Sequence, residues 1–98
     1  MPSFILSERA KKDIAEIWRY TVDEWSSDQA ERYYNDLIDT CERIASSGSV
    51  IARNCDDIRP GLRSITCAHH IIFFRVIASG KIRIVRILHE KMDFPRHI

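Results

Sequence analysis

The chain has 98 residues, which is one small domain and excludes a separate cofactor domain or second lobe. Its composition, 45% hydrophobic and 30% charged, is that of a soluble globular domain, and a net charge of +1 taken alone argues against a nucleic-acid binder. The sum hides a split, because residues 1–50 hold 6 Lys/Arg against 10 Asp/Glu whereas residues 51–98 hold 9 against 4, and 11 of the 15 basic residues are Arg.

Residues Pro2 to Leu6 predict a short strand. Ser7 is an N-cap candidate with Glu8 in the first turn, and Ala10, Ile14, Ile17, Trp18, Thr21 and Trp25 recur at spacings of three and four. A first amphipathic helix is therefore expected over Glu8 to Glu24. Ser26 followed by Gln29 fits a capping box and starts a second helix with Ala30, Tyr33, Tyr34, Leu37, Ile38, Cys41, Ile44 and Ala45 on one stripe, ending at Ser46-Ser47-Gly48. So short a connection predicts an antiparallel helix hairpin.

Residues 49–61 read as a loop, with Asn54, Asp56, Asp57, Pro60 and Gly61. Three strands follow, over Leu62 to Thr66, His70 to Ile77 and Ile82 to Leu88, the last two joined across Ser79-Gly80. With Ala78 opposite Lys81, Ile77 pairs with Ile82, Arg75 with Ile84, Phe73 with Arg86 and Ile71 with Leu88 on one face. Ile72, Phe74, Val76, Val85 and Ile87 form the other, which is expected to pack on the helices, with His70 opposite His89 and Arg83 near the turn. The face carrying Arg75 and Arg86 is expected to lie open to solvent or a partner.

No apolar run approaches the roughly 18 residues that span a bilayer, and no signal-peptide pattern opens the chain, so a cytoplasmic protein is expected. Cys41, Cys55 and Cys67 are odd in number and lack a C-x-x-C pair, which predicts reduced thiols. Arg75 and Arg86 beside Phe73, joined by Arg63 if the Cys67 to His69 turn sets the right parity, combine charge with a stacking ring suited to phosphate or RNA. The plainer reading is a solvated sheet face. His70 and His89 could exchange protons near neutrality, but no carboxylate of suitable parity lies beside them, which favours a structural role at the sheet rim. Cys67, His69 and His70 lack a fourth zinc ligand at a recognised spacing, so neither metal nor cofactor is expected. Trp18, Trp25, Tyr33 and Tyr34 read as core or hairpin-seam residues, part of whose surface two helices and one small sheet leave for a partner.

Three segments together resemble the ParE branch of the RelE/ParE family of type II toxin–antitoxin toxins. They are Leu6-Ser7-Glu8-Arg9-Ala10-Lys11-Lys12-Asp13-Ile14, continuing through Ile17-Trp18-Arg19-Tyr20, Trp25, Gln29-Ala30 and Tyr33; Cys55-Asp56-Asp57-Ile58-Arg59-Pro60-Gly61-Leu62-Arg63; and His70 to Val76 running into Ile84 to Asp93. The resemblance implies a single α+β domain over residues 1–98, in which an N-terminal strand and a helix hairpin pack on a small, mainly antiparallel sheet in the order β-α-α-β-β-β. It also implies a cognate antitoxin whose C-terminal segment folds on binding, and for ParE-like members inhibition of DNA gyrase without nuclease activity. Target contacts are then expected at Arg63, Phe73, Arg75, Arg86, His89, Lys91, Met92, Phe94 and Arg96, and antitoxin contacts at Trp18, Trp25, Tyr33, Tyr34, Arg59 and Arg63. The RelE-like alternative is a ribosome-dependent mRNA endoribonuclease using Arg63, Arg86 and His89, which would bring direct nucleic-acid contact. An inactive antitoxin-binding relative is the third reading. Turn positions depart from the ParE pattern at Ser26, Ser49, Ala52 and Ala68.

Overall fold

A computed structural model describes residues 4–47 and 52–98. Pro2, Ser3, Gly48 and Ser49, to which the sequence assigns strand, helix end and loop, lie outside the described residues. The elements are β1 (Phe4–Leu6), α1 (Glu8–Glu24), α2 (Ser27–Ser47), β2 (Arg53–Asn54), β3 (Arg63–Cys67), β4 (His70–Val76), β5 (Ile82–His89) and a short α3 (Phe94–His97). The five strands form one sheet in the order β1-β5-β4-β3-β2, with β1 parallel to β5 and every other pair antiparallel.

Both long helices begin where their caps predict. Ser7 is extended and its Oγ accepts the Ala10 N–H at 3.0 Å, while the same hydroxyl donates to the Val85 carbonyl at 2.7 Å. One side chain thus caps α1 and ties it to β5. The Ser26 Oγ accepts the Gln29 N–H at 3.0 Å, after Trp25 and Ser26 have both donated to the Thr21 carbonyl to end α1. The apolar stripes of α1 and α2 meet the sheet through Ala10, Ile14, Leu37, Cys41 and Ile44, packed against Ile72, Phe74, Ile82, Ile84 and Ile87. Burial in this layer pushes the Cys41 thiol up to about 12, so it stays protonated and inert.

The β4–β5 pairing corrects the expected register. From His70↔His89 to Phe73↔Arg86 the pairs are as read from the sequence, but Phe74 then pairs with Ile84, Arg75 with Arg83 and Val76 with Ile82, across an irregularity between Phe73 and Phe74. Val85 is the extra residue of a bulge, which reverses the parity of everything before it in β5. Ile82 and Ile84 are consequently buried on the helix face, Arg83 is exposed, and Val85 packs on the opposite side. A three-residue 3-10 turn, Ala78–Gly80, replaces the two-residue turn that the expected register requires.

The second face of the sheet is covered, contrary to the expectation that it lies open. Phe73 and Leu88 are buried with Cys55 and Leu62, and Ile58, Val85, Phe94 and Ile98 pack against them. The lid has two parts, the segment between β2 and β3 and the C-terminal residues with α3. The first part is an Asx-type turn. Asn54 Oδ1 accepts from Asp56 N–H, and Asp56 Oδ1 accepts from Gly61 N–H; this Gly61 bond, and then one from Asn54 Nδ2 to Asp56 Oδ2, hold the Asp56 carboxyl below its usual range. Gly61, at φ +81°, supplies the left-handed residue that this turn needs.

The β3–β4 connection places Ala68 at φ +54°, a left-handed conformation that disfavours a Cβ. Ala68→Gly should therefore stabilise the domain by about 0.5–1 kcal/mol despite the extra freedom it gives the unfolded chain. An unchanged or lowered urea midpoint would contradict this reading of the turn.

Candidate functional site

An open groove of about 760 Å³ runs between the helix hairpin and the far ends of β4 and β5. One wall is the α1 face bearing Glu16, Ile17, Tyr20 and Thr21, the other carries His69, His70, His89 and Met92, and Trp25, Gln29 and Tyr33 close one end. The hairpin geometry fixes this arrangement. The α1 periodicity that buries Ile14 and Thr21 leaves Tyr20 at the groove's rim, and Trp25 sits on the tight connection between the helices. Trp25 is 73% exposed and Tyr20 63%, unusual for large aromatic side chains in so small a domain.

The wall bearing the histidines is polar but internally paired. The Tyr33 hydroxyl is hydrogen-bonded to His70 Nδ1, and the His70 ring lies edge-on to His89 with centroids 5.3 Å apart. Burial, and then the neighbouring His89 and His69, lower the His70 pKa to about 4. The Tyr33 hydroxyl is shifted upward, chiefly by burial. His69 pairs with Glu90 at 2.9 Å, which lowers the Glu90 carboxyl. Neutral His70 gives a stability term of definite sign. The unfolded chain takes up this proton as pH falls below 6.5, whereas the folded chain resists until about pH 4. Stability from this residue is therefore complete above pH 6.5 and declines as pH drops from 6.5 to 4. Urea midpoints at pH 7.5 and 5.0 should differ more in the wild type than in His70→Gln, and equal differences would remove His70 as the cause.

Asp13 lines the groove from α1, is 7% exposed, and accepts three hydrogen bonds. Arg86 donates to it through Nε and Nη2, each at 2.8 Å, and the Ile87 N–H donates at 2.9 Å. The Arg86 Nη1 donates in the other direction, to the His97 carbonyl at 2.6 Å. This bidentate pair raises the Arg86 pKa, the hydrogen bonds it donates to Asp13 being the main cause. Asp13 and Ser7 together also satisfy the edge of β5 beyond the end of β1, which removes an exposed pairing edge.

The sequence-derived target residues do not converge on one surface. Arg63 pairs with Phe74 and so shares the helix side of the sheet, whereas Arg86 pairs with Phe73 and leaves from the other side. His89 is opposite His70, whose β3 partner is Cys67, four residues along β3 from Arg63, or roughly 13 Å of strand. Arg75 donates to the Pro60 carbonyl, and Phe73 is buried against Phe94 with ring centroids 5.1 Å apart. Lys91, Met92 and Arg96 are exposed around the C-terminal segment.

The expected antitoxin residues divide between two grooves. Trp25 and Tyr33 line the one described above. Trp18 and Tyr34 meet edge to face at 6.1 Å in a second groove of about 570 Å³ along the outer side of the hairpin, with Ile14, Val22, Lys11 and Arg19. Arg59 donates to the Ile98 main-chain oxygen. Sequence reasoning assigns no site role to Asp13, Glu16 or Tyr20. Asp13 did carry a usable signal, an acidic residue on the same apolar stripe as Ala10, Ile14 and Ile17, which has to find a partner when buried.

Among the described residues no cluster of three or more His, Cys, Asp or Glu side chains could hold a metal ion, and no helix is long and apolar enough to cross a membrane. The family described as "ParE toxin of type II toxin-antitoxin system, parDE" matches residues 4–94. The chain belongs to the ParE toxin family. It is 41% identical over 95 residues to Toxin ParE1 of Mycobacterium tuberculosis (strain CDC 1551 / Oshkosh), covering 97% of this chain and 96% of that one. To Toxin ParE1 of Caulobacter vibrioides it is 33% identical over 98 residues, covering 100% and 99% of the two chains. A chain of the chromosomal ParDE TA system from P. aeruginosa superposes with a TM-score of 0.77 at 22% identity, covering 91% of this chain and 96% of the other, and so has the same fold. Membership gives the helix hairpin and sheet their place as a ParE scaffold, with the aromatic grooves on either side of the hairpin.

Proposed function

We propose that this ParE toxin acts in the cytoplasm by inhibiting DNA gyrase and blocking replication, and that a cognate antitoxin neutralises it by folding its C-terminal segment across the hairpin. The observation that carries the choice of target is the state of Arg86. A ribonuclease mechanism needs a base, an acid and cationic stabilisation around one scissile phosphate. Here the Arg86 guanidinium is held by Asp13 and the His97 carbonyl, and Arg63 leaves from the opposite side of the sheet. That arrangement suits a structural clamp better than a phosphate site. A binding mechanism asks only for accessible contact chemistry, which the exposed Lys91, Met92 and Arg96 supply next to the half-buried His89 and Phe94.

The antitoxin surface follows from the exposed aromatics. Trp25 and Tyr20 at the groove rim, and Trp18 with Tyr34 on the outer side, offer large rigid contact areas to an amphipathic segment, whose ordering on binding offsets part of the gain. Expression in a host without the antitoxin tests the whole reading. Arrested DNA synthesis with intact mRNA, relieved by co-expressed antitoxin, is the expected outcome. Rapid mRNA loss with continuing replication supports the ribonuclease instead, and normal growth at verified soluble expression supports the inactive relative.

A further inference from the structure

We infer that Asp13 is a positioning residue for the C-terminal segment: through Arg86 it holds residues 94–98 on the sheet face opposite the groove. Asp13 belongs to α1, and among the described residues its carboxylate oxygens accept from Arg86 and from the Ile87 N–H. The guanidinium is the connecting piece. Its Nε and Nη2 are used by Asp13, which leaves Nη1 directed at the His97 carbonyl. A planar fork fixed by two parallel bonds has no rotational freedom left, so its third donor is aimed rather than merely available.

The remaining contacts of the segment are compatible with this role. Phe94 meets Phe73 edge to face, Ile98 packs on the same small cluster, and Arg59 donates to the Ile98 main-chain oxygen. Inside the segment, α3 is a single short turn with Arg96 N–H donating to Asp93 and Ile98 N–H to Phe94. One turn has too few internal bonds to persist alone, so its order depends on these external anchors. Of these, the Arg86 bond reaches back through a buried carboxylate to α1. Asp13 and Arg86 also both line the groove, so the anchor is shared between the groove and the opposite face of the sheet.

Hydrogen exchange measured residue by residue tests the assignment. In Arg86→Lys a single ammonium can keep the Asp13 charge pair but cannot also span to His97. Exchange at the Arg96 and Ile98 amides should speed up about tenfold or more, the equivalent of one hydrogen bond to a charged group, with Ile72 and Phe74 in β4 unchanged. Asp13→Asn should loosen the same two amides relative to β4, although Asp13 does not touch the segment. Wild-type protection of Arg96 and Ile98 in both variants would overturn the inference, as would loosening that merely parallels β4. The functional consequence rests on the proposed gyrase contact through Lys91, Met92 and Arg96. Toxicity that persists when the segment is demonstrably loosened would count against that contact while leaving the positioning role intact.

Discussion

Asp13→Ala is expected to lower folding stability by about 3–5 kcal/mol, because it leaves the Arg86 guanidinium buried and unpaired. The side chains of Arg86 and Asp13 are only 13% and 9% exposed. Water therefore cannot readily replace the carboxylate, and the Ile87 N–H loses its acceptor as well. Domains of this size have total stabilities of about 5–15 kcal/mol, so the loss is a large share of the whole. At about 4–8 °C per kcal/mol, the melting temperature should fall by at least about 12 °C. A second variant separates the pair from the packing around it. Asp13→Leu combined with Arg86→Met removes both charges and should recover most of the loss, since apolar replacement of a buried pair is often near neutral. Thermal and urea unfolding of the two variants make the comparison. A single mutant within about 1 kcal/mol of wild type would mean that the pair is solvated in solution.

Ending the chain at Glu90 is expected to abolish toxicity while leaving antitoxin binding largely intact. Under the proposed function, truncation removes Lys91, Met92 and Arg96, the exposed residues assigned to the target, but leaves both aromatic grooves apart from the Met92 contribution. It also strips Phe94 and Ile98 from Phe73 and Leu88, which are 1% and 2% exposed in the intact fold. Re-exposing parts of two large apolar side chains costs about 2–4 kcal/mol. Stability has to be measured alongside growth for that reason. A shortened chain that is folded at the assay temperature, binds antitoxin and no longer arrests growth gives the expected result. Full toxicity at wild-type solubility would refute it.

The helices were legible from the sequence because their signals are local. Ser7 and Ser26 cap as their neighbours require, and the α1 limits follow from a stripe of apolar residues at helical spacing. The register of β5 was legible only up to the bulge. Period-two alternation cannot reveal an inserted residue, but Arg83 and Arg86 are three apart and both avoid the helix side of the sheet, which a regular strand forbids. That spacing is the signal that the expected pairing passed over. β2 is two residues long and owes its existence to pairing with Arg63 and Ser64, so nothing in Arg53-Asn54 announces it.

Misreading the basic face followed from the same limit. Arg75 and Arg86 were expected to face solvent because strand parity says which side a residue leaves from, not what later covers that side. The covering pieces are the 55–62 turn and the C-terminal segment, both held by long-range bonds from Arg75, Arg86 and Arg59. Asp93, Phe94 and Pro95 did hold a hint, since α3 has Asp93 at its N-cap position and Pro in its first turn. The charge split between the two halves of the chain is therefore partly consumed within the fold. Asp13 neutralises Arg86, while Arg53, Lys81, Arg83, Lys91 and Arg96 remain exposed in the C-terminal half.

Purified protein titrated into two reactions separates the possible targets. One reaction is DNA supercoiling by gyrase, and the other is mRNA cleavage in translating ribosomes. Inhibition of supercoiling with the mRNA left whole is expected. Cleavage of the mRNA with supercoiling untouched would contradict the proposed function and return Arg63, Arg86 and His89 to a catalytic role.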